Sequence, residues 1–174
     1  MNKALFLDRD GVVNIDKEYL IEKENTEFIT GVFDLIRCAR EKNYLIIIIT
    51  NQSGIGRGIF SEEKFLSFNN WFLNELENNN ARIDDLFYCP THPEKGIGNY
   101  KKNDFRRKPN PGMIIEASEK YNLDLKKSFL IGDKLTDMEA GHSAGVKNLF
   151  LYSEKYSCDY AGKIKSLMEV EKFL

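Results

Sequence analysis

Ala4-Leu5-Phe6-Leu7-Asp8-Arg9-Asp10-Gly11 is the stretch whose reading decides the fold. Four apolar residues run into two carboxylates one residue apart, and a glycine follows. A short apolar run closed by a turn signal predicts a buried strand, with Asp8 at its carboxyl end and Asp10 in the loop beyond. In open α/β sheets that edge is where ligands bind. Taken alone, the same residues describe any strand that ends in a polar turn. Their meaning depends on what the rest of the chain brings to the same edge.

Working outward, Tyr44-Leu45-Ile46-Ile47-Ile48-Ile49 is continuously apolar rather than alternating, which predicts a strand covered on both faces. It too ends in polar residues, Thr50-Asn51-Gln52-Ser53, before the glycine-rich Gly54-Ile55-Gly56-Arg57-Gly58. Leu86-Phe87-Tyr88 predicts a short third strand. Phe129-Leu130-Ile131-Gly132-Asp133 repeats the opening pattern, and Asn148 to Tyr152 predicts a last core strand. Between them lie helical periods. Val32, Leu35, Ile36 and Ala39 form one apolar face over about Gly31 to Lys42. Ser61 caps an acidic first turn of a helix that runs to Asn78. Asn110-Pro111 opens another helix, Lys134 to Gly145 holds a short one, and Ile164 to Leu174 predicts a C-terminal helix. Strands alternating with helices predict a three-layer α/β/α, doubly wound, mostly parallel sheet.

The 174 residues predict a single domain spanning 1–174, with no repeat or linker. Hydrophobic residues are 42% and charged residues 30%, as in an ordinary soluble domain with a real core. A net charge of -2 argues against nucleic acid or an anionic membrane as partner. No run approaches a membrane span, and a leader has no room before Asp8. Three widely spaced cysteines, Cys38, Cys89 and Cys158, do not make a disulfide framework; a reducing cytoplasm and a monomer are the expectation. Trp71 and the phenylalanines around it are expected in the core, and His142 is expected to be structural.

Four polar clusters thus follow separate strands: Asp8 with Asp10, Thr50 with Asn51, Arg107 with Lys108, and Asp133 with Asp137. At one sheet edge they would bring three or more carboxylates together, and these would repel strongly in a partly desolvated site. A hard divalent cation with oxygen ligands is the simplest relief, and Mg²⁺ also keeps room for water and a substrate phosphate. Lys108, Thr50 and loop amides would hold the anion beside it.

In order, Asp8-Arg9-Asp10-Gly11, Thr50-Asn51-Gln52-Ser53-Gly54, Arg107-Lys108-Pro109 and Gly132-Asp133-Lys134-Leu135-Thr136-Asp137 resemble the four motifs of the haloacid dehalogenase superfamily of phosphohydrolases. The resemblance covers nearly the whole chain. Its finer wording, including Tyr88-Cys89-Pro90 and Asn110-Pro111-Gly112-Met113, resembles the D-glycero-D-manno-heptose 1,7-bisphosphate phosphatase branch, close to histidinol-phosphate phosphatases. The resemblance implies Mg²⁺-dependent removal of the C7 phosphate, on a route to ADP- or GDP-heptose, through an aspartyl-phosphate. Asp8 would be the nucleophile; a carboxylate of ordinary pKa is ionised at neutral pH without an activating base. Asp10 would be the proton donor and then the base for the attacking water, and its backbone carbonyl a metal ligand. Asp133 would complete the metal site with Asp8. Thr50 and Lys108 would stabilise the transferring phosphoryl group. Asp16, Lys17, Glu18, Tyr19, Asn51, Gln52, Ser53, Arg107 and Lys134 fall on substrate-contacting positions. Asp137 either orients Lys108 or the metal shell, or only supplies charge at a helix start. Arg57 is either a solvated loop charge or a second phosphate contact. Histidinol phosphate is the alternative substrate, and a non-catalytic phosphosugar-binding domain the alternative of another class.

The intervals from Asp10 to Thr50 and from Thr50 to Lys108 leave no room for a separate cap domain. The expected site is open, shaped by loops, and suited to a small phosphorylated sugar. This disfavours a mutase, which must keep water from its phospho-intermediate. The resemblance fails at one place. Many members of the branch hold a structural zinc with Cys-x-His and Cys-x-Cys in the long loop. Here the loop offers Cys89-Pro90-Thr91-His92 and then Asp104-Phe105-Arg106. Tetrahedral zinc wants four N or S ligands, so no structural zinc is expected; one zinc per purified chain would overturn that.

Overall fold

The computed structural model describes residues 1–174. Its frame is one sheet of six parallel strands: β1 (Lys3–Leu7), β2 (Tyr44–Asn51), β3 (Asp85–Cys89), β4 (Phe129–Gly132), β5 (Asn148–Tyr152) and β6 (Gly162–Ile164). The spatial order is β3-β2-β1-β4-β5-β6. The chain winds outward from β1 through β2 to β3, then crosses back to the other side of β1 for β4. The crevice between β1 and β4 is therefore the switch point, where a doubly wound sheet opens for a ligand. In register, Leu7 pairs with Ile48 and Ile131, and the Asp8 N–H donates to the Ile131 carbonyl at 3.0 Å. Asp8 is thus the first residue past the sheet, held to the strand that delivers Asp133.

The apolar runs are buried on both faces, as their continuity predicts: Leu5, Phe6, Leu7 and Ile46 to Ile49 are all fully buried. Each such side chain contributes about 1.5–3 kcal/mol by leaving water. Alternation sorts them. Leu5, Leu7, Ile46 and Ile48 pack on α1 (Val32–Glu41) and α3 (Glu62–Asn78), while Phe6, Ile47 and Ile49 pack on α4 (Gly112–Tyr121) and α5 (Leu135–Ala144). The one-turn α2 (Ser53–Gly56) leads the chain off β2. Ser61 caps α3 as expected, its hydroxyl accepting from the Lys64 N–H at 3.1 Å. Trp71 is only partly buried at the edge of this core, and exposed His142 lies 4.5 Å ring to ring from Tyr160.

Three expectations need correction. Tyr152 does not end the last strand. Gly162–Ile164 adds β6 against β5, pairing Tyr152 with Ile164, and a 3₁₀ helix (Leu167–Phe173) replaces the expected C-terminal α-helix. Glu169 accepts from the Ser166 N–H at 2.9 Å and Ser166 from the Met168 N–H at 3.3 Å. That capping box, present in the sequence as Ser-x-x-Glu, sets the helix start beyond Ile164. Likewise α4 begins one residue late: Pro111 is its cap, and the Asn110 amide donates instead to the Asp104 carbonyl at 3.0 Å.

The long stretch after β3 carries only a 3₁₀ turn at Gly98–Tyr100. Cys89 and Asp104, the loop residues compared with zinc ligands above, are engaged in hydrogen bonds through Thr91, and His92, displaced by one position, caps a turn. Cys89 Sγ lies 3.2 Å from Thr91 Oγ1, which donates to Asp104 Oδ2 at 3.3 Å. His92 Nδ1 accepts the Glu94 and Lys95 N–H groups. No helix is long and apolar enough to cross a membrane.

Candidate active site

Strand ends β1, β2 and β4, together with the segment before α4, deliver their polar residues to one cavity of about 540 Å³. Asp8, Asp10, Thr50, Lys108 and Asp137 line it, as do Asn51, Gln52, Ser53 and Arg107. Asp16, Glu18, Tyr19 and Lys134 complete the expected part of the lining. Gly54 and Thr136 also line it, neither of which the motifs singled out.

Lys108 is the pivot. Its ammonium sits 2.9 Å from Asp8 Oδ1 and 2.6 Å from Asp137 Oδ1, and donates to the Ile49 carbonyl at 3.0 Å. The ammonium is thus enclosed by two carboxylates and one carbonyl, and the side chain is 3% exposed. Burial disfavours the charged amine, but Asp137 and Asp8 outweigh it, so Lys108 stays protonated beyond its usual range. Its backbone is pinned by Asn51: the amide nitrogen donates to the Lys108 carbonyl at 3.0 Å, and the amide oxygen accepts the Lys108 N–H at 3.1 Å. Asn51 thus spends its polar atoms on Lys108.

Asp137 does both jobs left open by the sequence. One oxygen holds Lys108, and the other accepts the Lys134 N–H at 3.0 Å, closing the start of α5. Gly132 makes room for it: a Cβ there would overlap the Asp137 side chain.

Asp8, Asp133 and Asp137 each place a carboxylate oxygen within 4.8 Å of the others. Burial first, and Asp137 next, push the Asp8 carboxyl well above the usual range, with Lys108 opposing. Burial pushes Asp133 to about 6. This corrects the expectation that Asp8 has an ordinary pKa. Buried Lys108 and half-exposed Lys134, whose ammonium lies 3.8 Å from Asp133 Oδ2 and is shared with Asp16, do not balance these carboxylates, and Asp133 Oδ1 is buried with no hydrogen-bond partner. Since Asp137 is committed to Lys108 and to the helix start, Asp8 and Asp133 are the side chains free to share a cation. An all-oxygen donor set short of positive charge fits a hard divalent ion.

Gly11 makes this approach possible. Its φ is +96°, and a Cβ would overlap the Asp133 carboxylate. Gly11→Ala is expected to cost at least about 1 kcal/mol, a fall of about 2–4 °C in melting temperature, and to displace Asp133. Differential scanning calorimetry with phosphate-release assays checks both.

Asp10 turns away from this cluster. Its carboxylate accepts from Arg9, from Asn14 Nδ2 at 3.0 Å and from Gln52 Nε2 at 3.0 Å. Burial pushes the Asp10 carboxyl up, but Arg9, helped by those two amides, pulls it below the usual range. Arg9 was missed by the motif reading. It is fully buried, 2.9 Å from Asp10, and stacked 5.5–6.0 Å over Phe65, Phe68 and Phe72.

One expected substrate contact falls elsewhere. Lys17 turns out of the cavity to pair with Glu27, and lines a separate hollow. Arg57, open in the sequence between a solvated charge and a phosphate contact, does not line the cavity; it donates to the Tyr19 hydroxyl.

A family model described as HAD-hydrolase-like matches residues 105–166. The chain is 47% identical over 154 residues to a D-glycero-alpha-D-manno-heptose-1,7-bisphosphate 7-phosphatase of Burkholderia mallei, covering 88% of this chain and 82% of that one. It is 45% identical to a D-glycero-beta-D-manno-heptose-1,7-bisphosphate 7-phosphatase of Vibrio cholerae, covering 82% and 77%. The fold matches a D,D-heptose 1,7-bisphosphate phosphatase from B. bronchiseptica, a structure complexed with magnesium and phosphate, with a TM-score of 0.82, 25% identity, and 98% and 97% coverage. Likeness of this degree over most of both lengths, on a sheet whose switch point holds the same motifs, places the chain in the heptose-1,7-bisphosphate 7-phosphatase family of haloacid dehalogenase hydrolases, enzymes that cleave phosphoric monoesters.

Proposed function

We propose that this chain is a Mg²⁺-dependent phosphatase that removes the C7 phosphate of D-glycero-D-manno-heptose 1,7-bisphosphate, with Asp8 as the nucleophile. The single observation that carries the reading is the convergence of Asp8, Asp133 and Lys108 at the switch point, beside a polar cavity sized for a small sugar phosphate. Asp8 and Asp133, with the Asp10 backbone carbonyl, would hold Mg²⁺. Bound there, Mg²⁺ supplies the charge that leaves Asp8 ionised and that neutralises phosphoryl oxygens.

Asp8 attacks phosphorus; the P–O bond to the sugar breaks and the phosphoryl group is carried on Asp8. Lys108 and Thr50 stay fixed while charge develops on the phosphoryl oxygens, so little reorganisation is needed. Thr50 is held by the Gln52 amide, which donates to its hydroxyl at 2.9 Å. Asp10 gives a proton to the departing sugar oxygen, then takes one from the water that hydrolyses the aspartyl-phosphate. Its resting contacts with Arg9 suit the second half. The first half requires it to carry a proton in the substrate complex, against the pull of Arg9.

Arg107 lies at the cavity rim with Nη1 donating to the Thr91 carbonyl at 2.8 Å, which leaves the rest of its fork for the sugar-side phosphate. The rim is built of loops with no covering domain, which suits a small freely diffusing substrate. A cytoplasmic monomer whose product feeds ADP- or GDP-heptose synthesis is part of the same reading.

Phosphate release from both anomers of the heptose bisphosphate and from histidinol phosphate tests it. One heptose anomer is expected to turn over fastest; a preference for histidinol phosphate would reject the substrate. Removal of divalent ions with EDTA is expected to abolish release, and Mg²⁺ to restore it. Mg²⁺ at about a hundred times its Kd stabilises by about 2.7 kcal/mol, raising the melting temperature by roughly 5–10 °C. Asp133→Asn is expected to lose that rise.

A further inference from the structure

We infer that Arg57 is a positioning residue: it clamps the segment Asp16–Tyr19 in the conformation that presents it to the substrate. The inference rests on the reading of that segment as a substrate wall. Five non-glycine residues have positive φ, and three are asparagines, for which the left-handed region is an ordinary choice. The other two are consecutive: Glu18 at +46° and Tyr19 at +57°. A glutamate and a tyrosine together in that region are strained, and such strain persists only where the surroundings fix it.

The surroundings do so from both ends. At one end Lys134 Nζ, at the start of α5, lies 3.0 Å from Asp16 Oδ2. At the other end the Arg57 guanidinium lies 5.3 Å over the Tyr19 ring and donates to its hydroxyl. Tyr19 is further seated by Phe60, ring centroids 6.5 Å apart, and by Gly54, whose missing Cβ leaves the space the two rings occupy. The segment is also a partition. Glu18 and Tyr19 line both the active cavity and a second hollow of about 530 Å³ formed with Ile21, Ile59 and Phe60. With space on both sides, the wall does not stand by packing alone, and the clamp decides which side it takes. Arg57, at the end of α2, thus acts on the substrate through Tyr19 without lining the cavity.

The test compares wild type with Arg57→Ala, Arg57→Lys, Tyr19→Phe and the double variant Arg57→Ala/Tyr19→Phe. Arg57→Ala is expected to raise KM for the heptose bisphosphate about tenfold, with a smaller effect on kcat, since a wall contact is made equally in ground and transition states. It is also expected to speed trypsin cleavage after Lys17 by about the same factor, as the segment opens. Arg57→Lys keeps a cation over the ring and is expected to restore part of both. The double variant is expected to match Arg57→Ala, because both changes break one contact. Unchanged cleavage in Arg57→Ala overturns the inference, and does so even if KM rises, since Arg57 would then touch substrate itself. Additive losses in the double variant also overturn it. The cleavage arm needs no heptose, so failure of wild type to turn over the bisphosphate rejects the substrate while leaving the clamp judged separately.

Discussion

Asp8→Asn is expected to lower phosphate release by at least about 10⁴-fold, while the melting temperature in metal-free buffer does not fall. The two halves have separate causes. The amide oxygen of asparagine is too weak a nucleophile to take a phosphoryl group, so no acyl-phosphate forms. The fold is spared because the Asp8 carboxylate is a burden to the metal-free protein. It is 6% exposed and close to two other carboxylates, and its burial raises its pKa in the folded state. A group whose folded pKa is raised destabilises the fold once pH passes its unfolded value, so an uncharged isostere removes a cost. The contacts survive: the Arg9 N–H at 2.7 Å and the Lys108 ammonium at 2.9 Å both meet Asp8 Oδ1, which the asparagine oxygen replaces. Hydroxylamine trapping of an acyl-phosphate in wild type and its absence in the variant check the chemistry, and calorimetry checks the fold. Retained phosphate release would reject Asp8 as nucleophile. The stabilisation by Mg²⁺ is expected to shrink in the same variant, which ties the nucleophile to the metal shell.

What made the floor of this site legible is that each part of it is a local pattern. Apolar runs that end in carboxylates or in Thr-Asn set strand ends, and doubly wound topology brings those ends together without any knowledge of contacts. What stayed hidden depends on partners distant in sequence. Nothing local singles out Arg9, because Phe65, Phe68 and Phe72, which receive its guanidinium, lie on α3, far along the chain. β6 is three residues long and mostly polar; pairing with β5 and a glycine under the Phe150 ring make it a strand. Lys17 looked no different from its neighbours in a polar loop. Two left-handed residues after it rotate the chain, so Glu18 and Tyr19 face the cavity and Lys17 does not. The pKa of Asp8 likewise follows from burial and from Asp137, neither of which a motif records.

Lys108→Met is expected to damage stability and catalysis together, in contrast to Asp8→Asn. Methionine keeps most of the volume of the lysine stem, so the change removes charge and hydrogen bonds rather than packing. Asp8 and Asp137 lose the cation between them, and the Ile49 carbonyl loses its donor. Breaking a buried ion pair by removing one partner costs about 3–5 kcal/mol, since the other charge stays buried. For a chain of this length that is roughly 6–20 °C in melting temperature. Turnover is expected to fall by about 10²–10³, the usual loss when one fixed donor to a developing phosphoryl charge is removed. Adding Asp137→Asn separates the two effects. The amide still caps α5 by accepting the Lys134 N–H, but no longer leaves a bare charge beside the methionine. The double variant is therefore expected to regain more than about 1 kcal/mol over Lys108→Met, without regaining turnover. Urea unfolding and single-turnover phosphate release measure the pair. A Lys108→Met protein as stable as wild type would mean that its ammonium is not what holds the two carboxylates together. The observed recovery of stability without activity would instead assign Lys108 two tasks: Asp137 fixes it in place, and the phosphoryl group is what it is held for.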